Sequence, residues 1–330
     1  MFVASRFLAI SAVLCLIPAL ALGDDSPTYT DPAKADADFA YQGEYEVTAK
    51  TDEGDVKIGL QLVALGDGKF RAIGYMGGLP GAGWDKLIKH EAEGELHGDK
   101  VVVKSDHGEA HFTKEAVTMF SPEGNRTGHS KKVQRTSPTM GAKPPEGAIV
   151  LFDGTSADAF EKGRMNDDKL LMQGATSKQK FGSHKIHVEF LLPYQPKARG
   201  QARGNSGLYL QGRYEVQMLD SFGLKGENNE CGGIYTVKAP DVNMCLPPLT
   251  WQTYDIDFKA AKYDADGKLS ENPRITVVHN GVLVHDDVEL PNDVSTRAAP
   301  VKAGPEKGPV YLQDHGNPVR YRNIWVVETE

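Results

Sequence analysis

Apolar and polar residues alternate along most of this chain, and the alternation has a period of two. Short runs such as "YQGEYEVTA", "VKIGLQLVAL", "KFRAIGYMGG", "EAEGELHG", "KVVVKS" and "AHFTKEAVTMF" fill Phe39 to about Val133. They are separated by the turn-forming segments "GDGK", "GLPGAG" and "HGDK". Strict alternation bounded by Gly and Asp turns predicts strands, and no helical period competes with it. Residues 24–135 therefore read as an antiparallel β domain of six or more strands.

The segment "RTSPTMGAKPPEGA" has no periodicity and is rich in Pro, Gly, Ser and Thr, so residues 136–147 are expected to be a linker. Asp24 to Ala37, polar and Asp-rich, is expected to be a flexible leader. Beyond the linker, residues 148–330 return to strand patterning. Candidate strands are "KIHVEFLLP", "SGLYLQGR", "YEVQMLDS", "GGIYTV", "WQTYDIDFKA", "RITVVHNG", "VLVHDDVEL", "PVYLQDHG" and "VRYRNIWVVE". Asn280-Gly281 between two of them suits a type I′ hairpin turn, which needs φ > 0 at both residues. About nine strands without helices predict an all-β, two-sheet sandwich or jelly roll preceded by the smaller β domain.

Within this pattern, "RGNSGLYLQGRYEVQMLDS" (Arg203 to Ser221) carries unusual polar positions. Leu208 and Leu210 share one strand face with Tyr214, Val216 and Met218 after a turn at Gly212. Asn205, Tyr209, Gln211, Glu215 and Gln217 fall on the other face. A merely solvated face favours Lys, Glu, Thr and Ser. Tyr, Gln, Asn and Glu together offer donors and acceptors beside an apolar ring, which suits sugar hydroxyls. Asp220 is out of phase with this face unless a bulge intervenes.

A second constellation, "YLQDHGNPVRYRNIWV", places Gln313, Asp314, His315, Arg320 and Arg322 close together in sequence. Asp314 can orient His315, and a His near its ordinary pKa is a natural proton carrier. Asp-His is equally a turn, or half of a divalent-cation site, and no second ligand spacing completes one. Trp251 opens the strand "WQTYDIDF", where an indole serves either as a sugar platform or as core.

Composition narrows the partners. With a formal net charge of -8 the chain is a poor match to nucleic acid or to an anionic membrane surface. Residues 1–23 have the form of a secretory signal peptide: Arg6, an apolar run, then Ala19-Leu20-Ala21. Cleavage is expected near Ala21–Gly23, giving a secreted or periplasmic protein. That run is short for a membrane span and no other stretch is long enough. Its removal leaves Cys231 and Cys245, either a disulfide or two buried thiols. Oligomeric state stays open.

The motifs "LFDGTS", "RGNSGLYLQGRYEVQMLDS", "ECGGIY", "WQTYDIDF", "HNGVLVHDDVEL" and "GPVYLQDHGNPVRYRNIWV" occur in this order over Ile149 to Val327. Together they resemble the 3-keto-disaccharide hydrolase domain family, abundant among exported proteins of planctomycetes and related bacteria. The resemblance implies a concanavalin A-like jelly roll and a carbohydrate partner. It further implies cleavage of 3-keto-glycosides, in which the C3 ketone acidifies the C2 hydrogen and the C1 substituent leaves. That chemistry needs a base (Glu215 or His315), an acid (Asp220 or Glu230) and an enolate stabiliser (Arg320, Arg322 or a bound divalent cation). Asn205, Tyr209, Gln211, Gln217, Trp251, Gln313 and Asp314 would contact substrate.

Two other functions remain open: a non-catalytic lectin-like module and a conventional glucanase. Laminarinase-type glucanases of this fold carry Glu-x-Asp-x-x-Glu. Here Glu215-Val-Gln217-Met-Leu-Asp220 keeps the spacing with changed side chains.

Overall fold

The computed structural model describes residues 26–51, 54–290 and 295–329. The expected signal peptide, with its cleavage site, lies outside them.

Eight antiparallel strands close into a barrel: β1 (Gly43–Thr51), β2 (Gly54–Gly66), β3 (Lys69–Met76), β4 (Lys89–His97), β5 (Lys100–Ser105), β6 (Gly108–Phe112), β7 (Ala116–Phe120) and β8 (Arg126–Val133). Each pairs with its sequence neighbour, and β8 returns to β1 through Glu44–Val133 and Tyr45–Lys132. Closure removes both sheet edges. The alternate apolar residues of the strands, Tyr45, Val47, Leu62, Phe70, Val101, Phe112 and Val117 among them, fill the interior. The "GDGK" turn joins β2 to β3 with Asp67 and Gly68 both at positive φ (55° and 71°), as a primed turn requires.

The second unit contains β9 (Ile149–Phe152), β10 (Phe160–Glu161), β11 (Leu171–Met172), β12 (Ala175–Phe181), β13 (His184–Leu191), β14 (Ser206–Leu210), β15 (Tyr214–Met218), β16 (Trp251–Lys259), β17 (Lys262–Tyr263), β18 (Leu269–Glu271), β19 (Arg274–His279), β20 (Val282–Glu289), β21 (Gly308–Leu312) and β22 (Arg320–Glu328). One sheet has the order β10-β12-β21-β14-β15. The other has the order β11-β22-β13-β16-β19-β20, with β9 also on β22, and β17 and β18 form a small separate ribbon. Leu208, Leu210, Val216 and Met218 from the first sheet share one core with Ile186, Val188, Phe190, Tyr254, Ile256, Phe258 and Ile324 from the second. Tyr321 crosses that core to bring its hydroxyl 2.5 Å from Ser206 Oγ. The protein is thus an all-β, jelly-roll-like sandwich preceded by a small barrel. Among the described residues, no helix is long and apolar enough to cross a membrane.

The structure departs from the sequence expectations in four places. "GGIYTV" is not a regular strand; Ile234 makes only isolated bridges to Val216 and Lys238. Strands β9 to β12 went unread: β10 and β11 have two residues each and β9 four, too few for a measurable period, and the seven-residue β12 carries the polar run Ser177–Lys180 that breaks its alternation. The leader is not loose: Tyr29 pairs with Tyr194 through backbone bonds, and Asp36 accepts from the Tyr194 hydroxyl. Nor is the linker. Gly141 N–H donates to Glu189, and Thr139 Oγ1 donates to Asp255, across the outer face of the second sheet. Low periodicity reports the absence of regular backbone, not the absence of contacts. Val63, Ile73 and Tyr75 of the barrel belong to the sandwich core, so the two units share buried surface.

Candidate functional site

The β14–β15 hairpin turns at Gln211 and Gly212, both at positive φ (53° and 64°). Its register puts Tyr209 opposite Glu215 and Gly207 opposite Gln217. Since side chains alternate across a strand, these residues and Asn205 share the face turned away from the sandwich core. That face was expected to be polar, and it is; it is also deep. Asn205, Tyr209, Glu215 and Gln217 expose 1%, 0%, 2% and 1% of their surface.

Glu215 is the chemical centre of this face. The Tyr209 hydroxyl donates to Glu215 Oε2 at 2.7 Å, and Gln313 Nε2 donates to the Tyr209 oxygen at 3.1 Å. Oε1 has no hydrogen-bond partner among the described residues. It lies over Gly207, where an added Cβ would stand 2.2 Å from it. Burial pushes the Glu215 carboxyl up to about 7, and the Tyr209 bond opposes that only in part. A carboxyl poised near neutrality, with one oxygen held and the other free, suits proton abstraction.

Amides surround it. Gln201 Oε1 accepts from both Asn205 Nδ2 (3.2 Å) and Gln217 Nε2 (3.0 Å), while Gln201 Nε2 donates to Asn229 O at 2.7 Å. Asn205 Oδ1 and Gln217 Oε1 are buried without a partner, which is costly unless a ligand completes them. The segment after β21 is fastened to this face. Gln313 N–H donates to Gly207 O at 2.9 Å, and Asn205 N–H donates to Asn317 Oδ1 at 2.7 Å.

Several expected site residues lie elsewhere. Gln211 belongs to the turn, where the alternation ends; its amide donates to Phe181 O and accepts from Arg213. Asp220 points off the face and receives Arg203 Nε at 2.6 Å in a buried ion pair, so it does not stand beside Glu215 as an acid. Arg203 also reaches Ala64 O of the barrel, which makes the pair an interface clamp. Glu230 accepts from the Gly226 and Glu227 N–H groups and caps its own turn.

Arg320, Arg322 and Trp251 belong to β22 and β16 of the second sheet, outward of its core-facing Tyr321 and Tyr254. The hydrophobic core separates them from Glu215. Arg320 donates to Gln173 Oε1, and Arg322 donates to Glu189 while stacking 4.0 Å from the centre of the Trp251 ring. None of them can stabilise an enolate formed at Glu215. His315 stands exposed at the tip of the 313–317 turn, and Asp314 is committed to the Gly316 N–H within that turn.

Cys231 and Cys245 are free, buried thiols. Cys231 Sγ lies 3.3 Å from the Tyr254 hydroxyl, and Cys245 Sγ donates to Leu219 O, so the candidate disulfide is not formed. Among the described residues, no three His, Cys, Asp or Glu side chains converge as metal ligands.

Three contributors had gone unread in the sequence. Gln201 lies in an irregular loop and carries no pattern. Thr296, whose hydroxyl accepts from Glu215 N–H at 3.1 Å, arrives from a distant segment. Gly207 was legible: it interrupts an otherwise large-residue face at the position that must leave room for the carboxyl.

Residues 147–327 match the model of the 3-keto-alpha-glucoside-1,2-lyase-like domain. In structure, the chain resembles a candidate glycosyl hydrolase from Parabacteroides distasonis with a TM-score of 0.51 and 33% identity, over 56% of this chain and 85% of the other. A second candidate glycosyl hydrolase from the same organism aligns at TM-score 0.41 and 17% identity, over 56% of this chain and 95% of the other. No curated protein matches the chain in sequence.

Proposed function

This chain belongs to the 3-keto-alpha-glucoside-1,2-lyase-like domain family, and from that premise we propose that it is a glycoside-cleaving enzyme acting on 3-keto-glycosides, with Glu215 as the base. The observation that carries the assignment is the buried Glu215 carboxyl, poised at about 7 with Oε1 free.

Glu215 Oε1 takes the C2 proton, and the C–H electron pair delocalises onto the C3 oxygen as an enolate. The enolate collapses back to the ketone, forming the C1–C2 double bond and breaking the C1–O bond. The electron pair of that bond goes to the departing oxygen, and the proton now on Glu215 is available to it. Water added later across the double bond gives net hydrolysis. Tyr209 and Gln313 hold the carboxyl in place. Asn205 Oδ1 and Gln217 Oε1, unpartnered in the free protein, accept sugar hydroxyls.

A glucanase-type double displacement is disfavoured on this geometry. It needs two carboxyl groups flanking the scissile bond. Gln217 is an amide, and Asp220 is committed to Arg203.

The test is incubation of wild type and Glu215→Gln with a 3-keto-glucoside in D₂O, read by mass spectrometry. Deuterium at C2 and released aglycone are expected from wild type only. Sugar binding with no C2 exchange in wild type would instead make the protein a lectin-like module.

A further inference from the structure

A second cleft lies between the barrel and the sandwich, well away from Glu215. It has a volume of about 540 Å³, within the range of small-molecule sites, and both units line it. The charged residues lining it are Lys132, Arg135, Arg322 and Glu44, a balance of three positive against one negative (3 − 1 = +2). The whole chain, by contrast, carries -8.

Two of the three cations are already matched. Arg135 donates to Glu44 Oε2 at 2.7 Å, and Arg322 donates to Glu189 Oε2 at 2.6 Å. Lys132 is not. Its ammonium donates to Ala40 O at 2.7 Å and Gln42 O at 3.0 Å, and no carboxylate pairs with it among the described residues. Burial pushes its pKa down to about 8, the mark of a desolvated cation lacking a counter-charge. Beside it the wall is apolar. Leu249 and the partly exposed Trp251 line the cleft, with the indole held by Arg322 stacked 4.0 Å from its ring centre. An indole backed by a fixed cation is a rigid platform for the C–H face of a sugar ring.

We propose that this cleft binds a saccharide bearing an anionic substituent, a carboxylate or a sulfate ester. The anion meets Lys132 and the ring packs against Trp251 and Leu249. The saccharide half of the inference rests on the family reading; the anionic half rests on Lys132. Because the ligand touches both units, its binding ties the barrel to the sandwich and raises the melting temperature by mass action.

Isothermal titration of the full chain at pH 7 tests this with glucuronic acid, glucose 6-sulfate, glucose and inorganic sulfate as probes. At least one anionic sugar should bind, with glucose and inorganic sulfate weaker by about tenfold or more. Lys132→Met and, at the cleft rim, Thr250→Glu should each weaken binding by about tenfold or more. Thr250→Glu leaves the Lys132 contacts to Ala40 and Gln42 intact, so it reports on charge even if Lys132→Met misfolds.

The inference is overturned by glucose binding as well as the anionic sugars, by inorganic sulfate binding as tightly, or by no anionic sugar binding at all. Anionic-sugar binding undisturbed by Thr250→Glu would do the same. Turnover of a 3-keto-glucoside is read separately. Turnover without anionic-sugar binding sinks this inference alone, and anionic-sugar binding without turnover sinks only the proposed reaction.

Discussion

The Tyr209 hydroxyl and Glu215 Oε2 meet at 2.7 Å across directly opposed positions of β14 and β15. This single bond is what opposes desolvation at the Glu215 carboxyl. In Tyr209→Phe the ionised form loses its donor, so the carboxyl should titrate at higher pH than in wild type. The rising limb of kcat/KM against pH, expected near 7 in wild type, should move to higher pH, and turnover at pH 7 should fall about tenfold. An unmoved limb would remove Glu215 from the role of base.

Glu215 also links activity to stability. Its folded pKa of about 7 lies above the ordinary carboxylate value of 4.5, so the folded state holds its proton more tightly than the unfolded one. The group's favourable contribution is complete below about 4.5 and is lost as pH rises through 7. Glu215→Gln cannot ionise. At pH 8 it should be more stable than wild type by up to about 3 kcal/mol, with the advantage fading toward pH 5. Urea denaturation at the two pH values measures the difference, and the same variant should lose turnover by a factor of 100 or more.

Gly207 leaves the space that Glu215 Oε1 occupies, since a Cβ there would approach it to 2.2 Å. Gly207→Ala should displace the carboxyl and cut turnover about 100-fold, while the C2 exchange rate falls in parallel. Preserved exchange would show that the carboxyl tolerates the shift and that Oε1 is not the reacting atom.

Arg203 and Asp220 form a buried pair at the junction of barrel and sandwich. Removing one partner strands a buried charge. Arg203→Met should therefore destabilise the protein by about 3–5 kcal/mol, and replacing both residues with apolar side chains should cost much less. Chemical denaturation of the single and double variants decides between this clamp and a catalytic role for Asp220.

Two buried histidines add an acid-side prediction. Burial lowers His279 to about 3 and His285 to about 4, against an ordinary value of 6.5. Between about 4.5 and 6.5 the unfolded chain binds two more protons at these positions, while the folded state binds one more at Glu215. The buried His184, lowered by desolvation, and His187, raised because Asp255 and Glu189 outweigh its burial, act in opposite senses. His279, His285 and Glu215 together should therefore make stability fall on acidification through that window, by roughly 1.4 kcal/mol per pH unit for their net single proton. Melting temperatures from pH 7 to 4.5 measure it, and in Glu215→Gln the slope should steepen.

Much of the architecture was legible in the chain. Period-two alternation marked the barrel strands and the β14–β15 hairpin, and the split of Leu208, Leu210, Val216 and Met218 into the core follows from strand geometry alone. Glu215, Tyr209, Gln217, Asn205 and Gln313 come together because alternation and one adjacent strand suffice to unite them. Arg320, Arg322 and Trp251 failed the same reasoning for a simple reason. Proximity in sequence says nothing about which sheet of a sandwich a strand joins, and β22 and β16 joined the other one.

The sequence by itself determined the strand faces, because a backbone of period two leaves each side chain only two directions. It did not determine depth. A polar face is written the same way whether it meets water or another part of the chain, and burial is a property of what packs over it. Only the tertiary structure brought Gln201 and Thr296 to that face, locked Asp220 to Arg203, and joined the barrel to the sandwich so that Lys132 and Trp251 line one cleft. Desolvation then raised Glu215 and lowered Lys132, shifts that arise from the assembled surroundings and from no local pattern of residues.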